Sequence, residues 1–277
     1  IISPAKKMNV DTDTMEIRGL PRFLNRTRLL CDWLKTMSYD QLKALWRCND
    51  AIASLNYERL QHMELEEGLT PAVLAYEGIQ YRYMAPHLFS WEQFDYLDRH
   101  LRILSGFYGV LRPFDGVTPY RLEMQARLAG SGCQSLYQFW GPSLAQALAE
   151  EDDLLVDLAS REYSRAVTDH LPQGMTVISC TFGELREGRV LEKGTQCKRA
   201  RGEMVRYLTE PRSERPEAMQ AFDRLGYSFS QERSTPTHYV FIKKARAKED
   251  GGFWEAEDVW NIFCSLRTTR HLAGGSP

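Results

Sequence analysis

A chain of 277 residues can bury a substantial core. Its formal charge of -2, from 35 basic and 37 acidic residues, excludes a uniformly basic nucleic-acid binder, so any nucleic-acid surface must be a local patch. No run of about 18 apolar residues marks a membrane-spanning helix. The six cysteines form no CxxC or CxH pair and the six histidines no HExxH, so no sequence-local metal site is expected, and no cofactor.

In chain order, Ile1-Ile2 reads as the end of a buried strand rather than as a secretory leader. Ser3-Pro4 then makes a turn that leaves Lys6 just past a strand end, where open α/β sheets place ligands. Residues 22–62 carry helical spacing in Phe23, Leu24, Leu30, Trp33, Leu34 and Met37, and again in Leu42, Leu45, Trp46, Ile52 and Leu55, read as core. Pro71–Tyr76 reads as a buried strand with Gly78 as its exit. Ser90 and Gln93 form a capping pair for a helix whose face holds Phe94, Leu97, Leu101 and Leu104, and Gly106 is placed to end it. Leu154–Leu158, Met175–Phe182 and Tyr239–Ile242 have the short apolar character of inner strands, and Ser160, with Glu162 and Tyr163 just after it, marks a helix start able to cradle an anion, a simple N-cap being the plainer role. Strands mixed with helices predict an α+β fold: a compact mixed α/β domain of two lobes over residues 1–244, with an irregular mixed sheet flanked by helices. Residues 245–277 form an extension whose Phe253, Trp254, Trp260, Ile262 and Phe263 suit a helix, packed on the body or joining two copies in a homodimer.

Several stretches carry candidate chemistry. In Gly116–Met124, Pro119 biases the backbone toward extension, so Arg121 and Glu123 point to one face, as a structural ion pair or a ligand-facing wall. Leu104-Ser105-Gly106-Phe107-Tyr108-Gly109 resembles the hairpin of helix-hairpin-helix DNA binders, with Gly106 and Gly109 allowing backbone approach to a phosphate and Arg112 beyond them. Pro113 interrupts the second helix such a motif needs. On a helical wheel, Lys198 and Arg201 fall toward the apolar arc of Ala200, Met204, Val205 and Leu208, while Arg199 and Arg206 share the opposite side, suited to DNA phosphates. An inward Arg201 needs a carboxylate or an anionic ligand, and Glu123 is the natural partner. Tyr120 and Trp140 are aromatics able to stack on a planar ligand, core packing being the plainer role. Cys197, beside Lys198 and Arg199, has the neighbours of a lowered-pKa thiol, yet is expected to be dispensable.

Ile2–Met8, Leu101–Arg112, Pro119–Met124 (PYRLEM), Leu136–Gly141, Leu158–Tyr163 (LASREY) and Lys198–Gly202 (KRARG) fall in an order and approximate spacing that resembles the YaaA family, from Ile1 to about Lys244. The resemblance implies a cytoplasmic bacterial protein linked to hydrogen peroxide resistance, a compact mixed α/β fold and binding of double-stranded DNA. It implies no established reaction. Asp157 stands where such proteins usually have Asn, and Gln196 where Tyr is common.

Two functions follow. The first is a DNA-binding protein of the peroxide stress response, using Gly106, Gly109, Arg112, Arg199 and Arg206 on phosphates. The alternative is an enzyme acting on a small anionic or nucleotide-like substrate in a pocket lined by Lys6, Arg121, Glu123, Lys198 and Arg201. The absence of GxSxG, GxGxxG and phosphate-loop signatures leaves the reaction open.

Overall fold

The computed structural model describes residues 1–128 and 132–244. The extension 245–277, with the helix and copy-to-copy contact expected there, lies outside the described residues. Helices Leu24–Lys35, Tyr39–Trp46 and Asp50–Gln61 follow the apolar spacing, and Leu30, Leu34, Leu42, Trp46 and Leu60 are buried. Ser38 and Gln41 form a capping box and Asn49 caps the third helix, satisfying N–H groups that a helix start leaves without partners. Ile52 and Leu55, counted in the same pattern, are exposed instead.

The main sheet runs Tyr227–Phe229, His238–Lys243, Thr176–Arg186, Leu154–Asp157, with Arg189–Leu191 folded back on Thr176–Arg186. His238–Lys243, Thr176–Arg186 and Leu154–Asp157 pair in parallel, while Tyr227–Phe229 and Arg189–Leu191 join antiparallel, giving the mixed sheet of an α+β domain. Phe182 and Phe241 stand opposite in register and stack at 4.9 Å. Burying each ring contributes about 1.5–3 kcal/mol. Ile2 bridges in parallel to both Ile103 and Leu158, its N–H bonding to Arg102 O and its C=O to Leu104 N–H. Ile2, with Ile1 accepting the Leu158 N–H, thus splices the small Ile103–Ser105/Gly109–Leu111 hairpin to the main sheet.

Two expectations change. Pro71–Tyr76 is not one strand: Thr70–Pro71 and Tyr76–Glu77 are extended, and Ala72–Ala75 is a short helix between them. The run is buried as expected, and burial alone does not separate helix from strand. The Ser90 helix keeps its Ser90/Gln93 capping box but ends at His100. Leu104 and Ser105 already belong to a strand, so Gly106 turns a buried hairpin rather than closing a helix.

Candidate functional site

The chain leaves Ile2 into Ser3-Pro4-Ala5-Lys6 beyond the carboxyl ends of parallel strands. Ser3 Oγ accepts the Ser160 N–H at 2.8 Å and donates to Ser160 Oγ at 3.1 Å, while Tyr81 donates to Ser3 O at 3.0 Å. Ser160 occupies the N-cap of helix Arg161–Thr168, yet its hydroxyl makes no capping bond. The simple N-cap role is therefore corrected: Ser160 ties two strand ends together, and the amino end of this helix opens beside them.

The PYRLEM strip forms a second wall. A Cβ on Gly106 would lie 2.6 Å from Leu122 O, so the hairpin and strip are in backbone contact. Tyr120, Leu122 and Met124 turn inward, and Arg121 and Glu123 line a cavity, as the two-residue strand period requires. The Tyr120 hydroxyl lies 2.6 Å from Ser105 Oγ and 2.9 Å from Tyr76 Oη, and its ring stacks on Phe107 at 4.9 Å. Burial pushes its pKa up to about 12, so the phenol stays protonated. Glu123 accepts from Lys6 Nζ at 2.7 Å and from Arg121 at 3.1 Å.

The third wall is helix Gly194–Thr209. It crosses Ile79–Met84 so closely that a Cβ on Gly202 would stand 2.0 Å from Gln80 O. That approach carries Lys198 and Arg201 to the cavity edge. The expected Arg201–Glu123 pair does not form: Glu123 is taken by Lys6 and Arg121, and Arg201 lies 4.0 Å from Glu192 on the approach to its own helix.

Lys6, Arg121, Glu123, Lys198 and Arg201 thus line one cavity of about 380 Å³. The Arg121 side chain is only 10% exposed, and its Nε, like that of Arg201, is buried without a hydrogen-bond partner. Glu162 and Tyr163 of LASREY, which the sequence places at a helix start but not in the pocket, line it together with Tyr81. Burial raises the Glu162 carboxyl pKa, with the Gln125 and Met124 N–H groups pulling the other way, and Glu162 Oε1 has no partner. Burial also holds Tyr81 and Tyr163 well above the usual phenol value. The set can neutralise an anion and, at Glu162, hold a proton.

The other singled-out residues lie elsewhere. Gly106 and Gly109 sit in the fully buried hairpin; a Cβ on Gly109 would touch Trp140 and Leu144 at 3.0 Å, so these backbones face core instead of a phosphate. Trp140 is 1% exposed, donates to Gly106 O at 3.1 Å and packs on Phe23 and Phe139; it is core, not a stacking platform. Tyr120 reaches the cavity wall, but its ring is held between Phe107 and Tyr108. Arg112 projects, 59% exposed, 3.4 Å from Glu151. Arg199 lies over the Tyr83 ring and Arg206 pairs with Glu210 at 2.8 Å. Cys197 is buried, donates to Phe182 O at 3.2 Å, and burial raises its pKa, opposite to what its basic neighbours in sequence suggest. Gln196 accepts from Lys243 at 3.0 Å and Asp157 from the Ala159 N–H at 2.9 Å. Among the described residues no helix is long and apolar enough to cross a membrane, and no group of three His, Cys, Asp or Glu is placed to hold a metal ion.

Residues 1–233 match the family model described as peroxide stress protein YaaA. A UPF0246 protein of Desulfitobacterium hafniense is 48% identical over 248 residues, covering 90% of this chain and 99% of the relative. UPF0246 proteins of Lachnoclostridium phytofermentans and Pediococcus pentosaceus are 46% and 48% identical over 243 residues, covering 88% of this chain and 95% and 97% of their own lengths.

Proposed function

The chain belongs to the peroxide stress protein YaaA family, and we propose on that premise that it serves the peroxide response of the cytosol through a small-anion site, acting as an enzyme or binding protein on an anionic substrate. One observation carries this reading: three stretches distant in sequence bring Lys6, Arg121, Glu123, Lys198 and Arg201 to one cavity. Chance surface charges seldom converge with buried guanidinium nitrogens left without partners. The roles divide by position. Arg121, anchored by Glu123, is the fixed donor; Arg201 and the exposed Lys198 are the groups a ligand recruits; Glu162 is the candidate acid or base. The test compares Arg201→Gln with the parent in cells challenged with hydrogen peroxide, alongside thermal denaturation. A variant that folds normally and no longer protects supports the site, whereas full protection removes it.

Binding of double-stranded DNA is the second reading. The observation favouring it is the exposed Arg112 beside Arg18 and Arg22, around a depression of about 320 Å³; Asp98, Asp115 and Glu151 in the same depression oppose it. If Arg112, Arg199 and Arg206 meet phosphates, replacing all three by Ala weakens binding for every sequence alike and lowers the salt slope by about one per contact. Unchanged affinity and slope in the triple variant rule these contacts out.

A further inference from the structure

The charge count of the cavity narrows what it takes. Five cations line it, Lys6, Lys7, Arg121, Lys198 and Arg201, against three carboxylates, Glu77, Glu123 and Glu162. Lys7 and Glu77 pair at 2.7 Å on the rim and cancel. Glu123 serves both Lys6 and Arg121, one negative charge for two positive. Lys198 makes no ion pair among the described residues, and Arg201 has only the distant Glu192 carboxylate, which is half exposed. Even with Glu162 ionised the walls keep an excess of two positive charges, and its burial disfavours that ionised form.

Two further features point the same way. Arg121 Nε and Arg201 Nε are buried donors without partners, and a guanidinium presents a fork of N–H groups matched to phosphate oxygens. Ser160, engaged with Ser3, leaves the start of helix Arg161–Thr168 without a side-chain cap beside the same cavity, where helix N–H groups and the positive end of the helix dipole favour an anion.

We infer that this cavity takes the dianionic head of a phosphate monoester, gripped by Arg121, Arg201 and Lys198 at the amino end of helix Arg161–Thr168. The inference rests on the small-anion reading above and makes it specific. A monoester carries a charge of about -1.5 to -2 at neutral pH, which matches the excess. A carboxylate or a phosphodiester brings one charge and leaves a cation uncompensated. The volume of about 380 Å³ admits a phosphate with a small organic group and is at the lower end of ordinary ligand pockets. It does not admit duplex DNA, whose major groove alone is about 12 Å wide.

Isothermal titration of the full chain with phenyl phosphate, dimethyl phosphate and benzoate tests this. Phenyl phosphate should bind at least tenfold more tightly than either of the others. Its affinity should rise between pH 5 and pH 7 as the second phosphate proton, with a pKa of about 6, is lost. Arg201→Gln and Lys198→Met should each weaken it tenfold or more while leaving the melting temperature unchanged; Lys198 is exposed, so its replacement tests the site even where Arg201→Gln unfolds. Equal binding of dimethyl phosphate or benzoate overturns the monoester assignment and leaves the small-anion site standing. Binding of phenyl phosphate that neither substitution weakens overturns the placement in this cavity. Binding of none of the three anions overturns the inference and the small-anion reading together.

Discussion

Gly202 lies directly against Gln80: a Cβ at this position would sit 2.0 Å from Gln80 O and 2.9 Å from its carbonyl carbon. The glycine of KRARG is thus a spacer between two helices, and the basic residues before it reach the cavity because the helices touch.

Gly202→Ala should therefore destabilise the protein despite alanine's better helix propensity, worth about 1 kcal/mol. Backbone does not yield as a side-chain end does, so the helices must separate. The expected loss is about 2–4 kcal/mol, read as a fall in the midpoint of chemical denaturation. A neutral or stabilising substitution would show that the two helices are free to part.

Glu123 and Arg201 should separate in their effects on stability. Glu123 holds Lys6 at 2.7 Å and the largely buried Arg121 at 3.1 Å. Glu123→Gln leaves Arg121 with an uncompensated charge and should cost roughly 1–3 kcal/mol, less than a fully buried pair because Glu123 itself is partly exposed. Arg201 is 4.0 Å from its nearest carboxylate, so Arg201→Gln should change stability by less than about 1 kcal/mol. Urea denaturation of both variants decides it, and a larger loss for Arg201→Gln reverses the assignment of anchor and ligand-recruiting group.

Cys197 should be dispensable. Its thiol is buried, donates to Phe182 O, and has a pKa raised by burial, so little thiolate meets an oxidant at neutral pH. Cys197→Ser should protect cells from peroxide as the parent does, and in the native parent iodoacetamide should label the half-buried Cys48 before Cys197, as followed by peptide mass spectrometry. Loss of protection in a folded Cys197→Ser variant would make the thiol functional.

The elements were legible where local pattern and tertiary need agree. Ser90/Gln93 capping, the strands around Leu155, Ile178 and Phe241, and the shared face of Arg121 and Glu123 all follow from short-range rules. PAVLAY misled because four apolar residues in a row, three of them buried, satisfy a helical turn as well as a strand. Gly106 misled because a glycine chosen for close contact with Leu122 has the same appearance in sequence as one that ends a helix. Of the site, the convergence was readable from charges embedded in apolar stretches. The pairing was not: that Glu123 turns to Lys6, 117 positions away, rather than to Arg201 is fixed by the hairpin beneath PYRLEM. Glu162 was readable as part of a helix start but not as a cavity wall, because its burial comes from neighbours distant in sequence.

A pH test reaches a carboxylate outside the cavity. Asp115 accepts the Arg112 N–H at 2.8 Å, yet burial raises its pKa from 3.8 to about 6 in the folded protein; Arg112 and Arg102 oppose the rise and Asp98 adds to it. A carboxyl whose folded pKa exceeds its unfolded value favours folding while protonated in both states. That contribution is present below about pH 4 and is lost as the pH climbs to about 6, because the unfolded chain gives up its proton first. A shift of this size corresponds to roughly 2–3 kcal/mol. Asp115→Asn cannot titrate, so its stability relative to the parent should improve by about that amount between pH 4 and pH 7, whatever fixed cost the amide brings. Urea denaturation of both proteins at several pH values measures the difference. A difference that stays flat across this window would mean that the folded pKa of Asp115 is not raised, the nearby arginines at least balancing its burial.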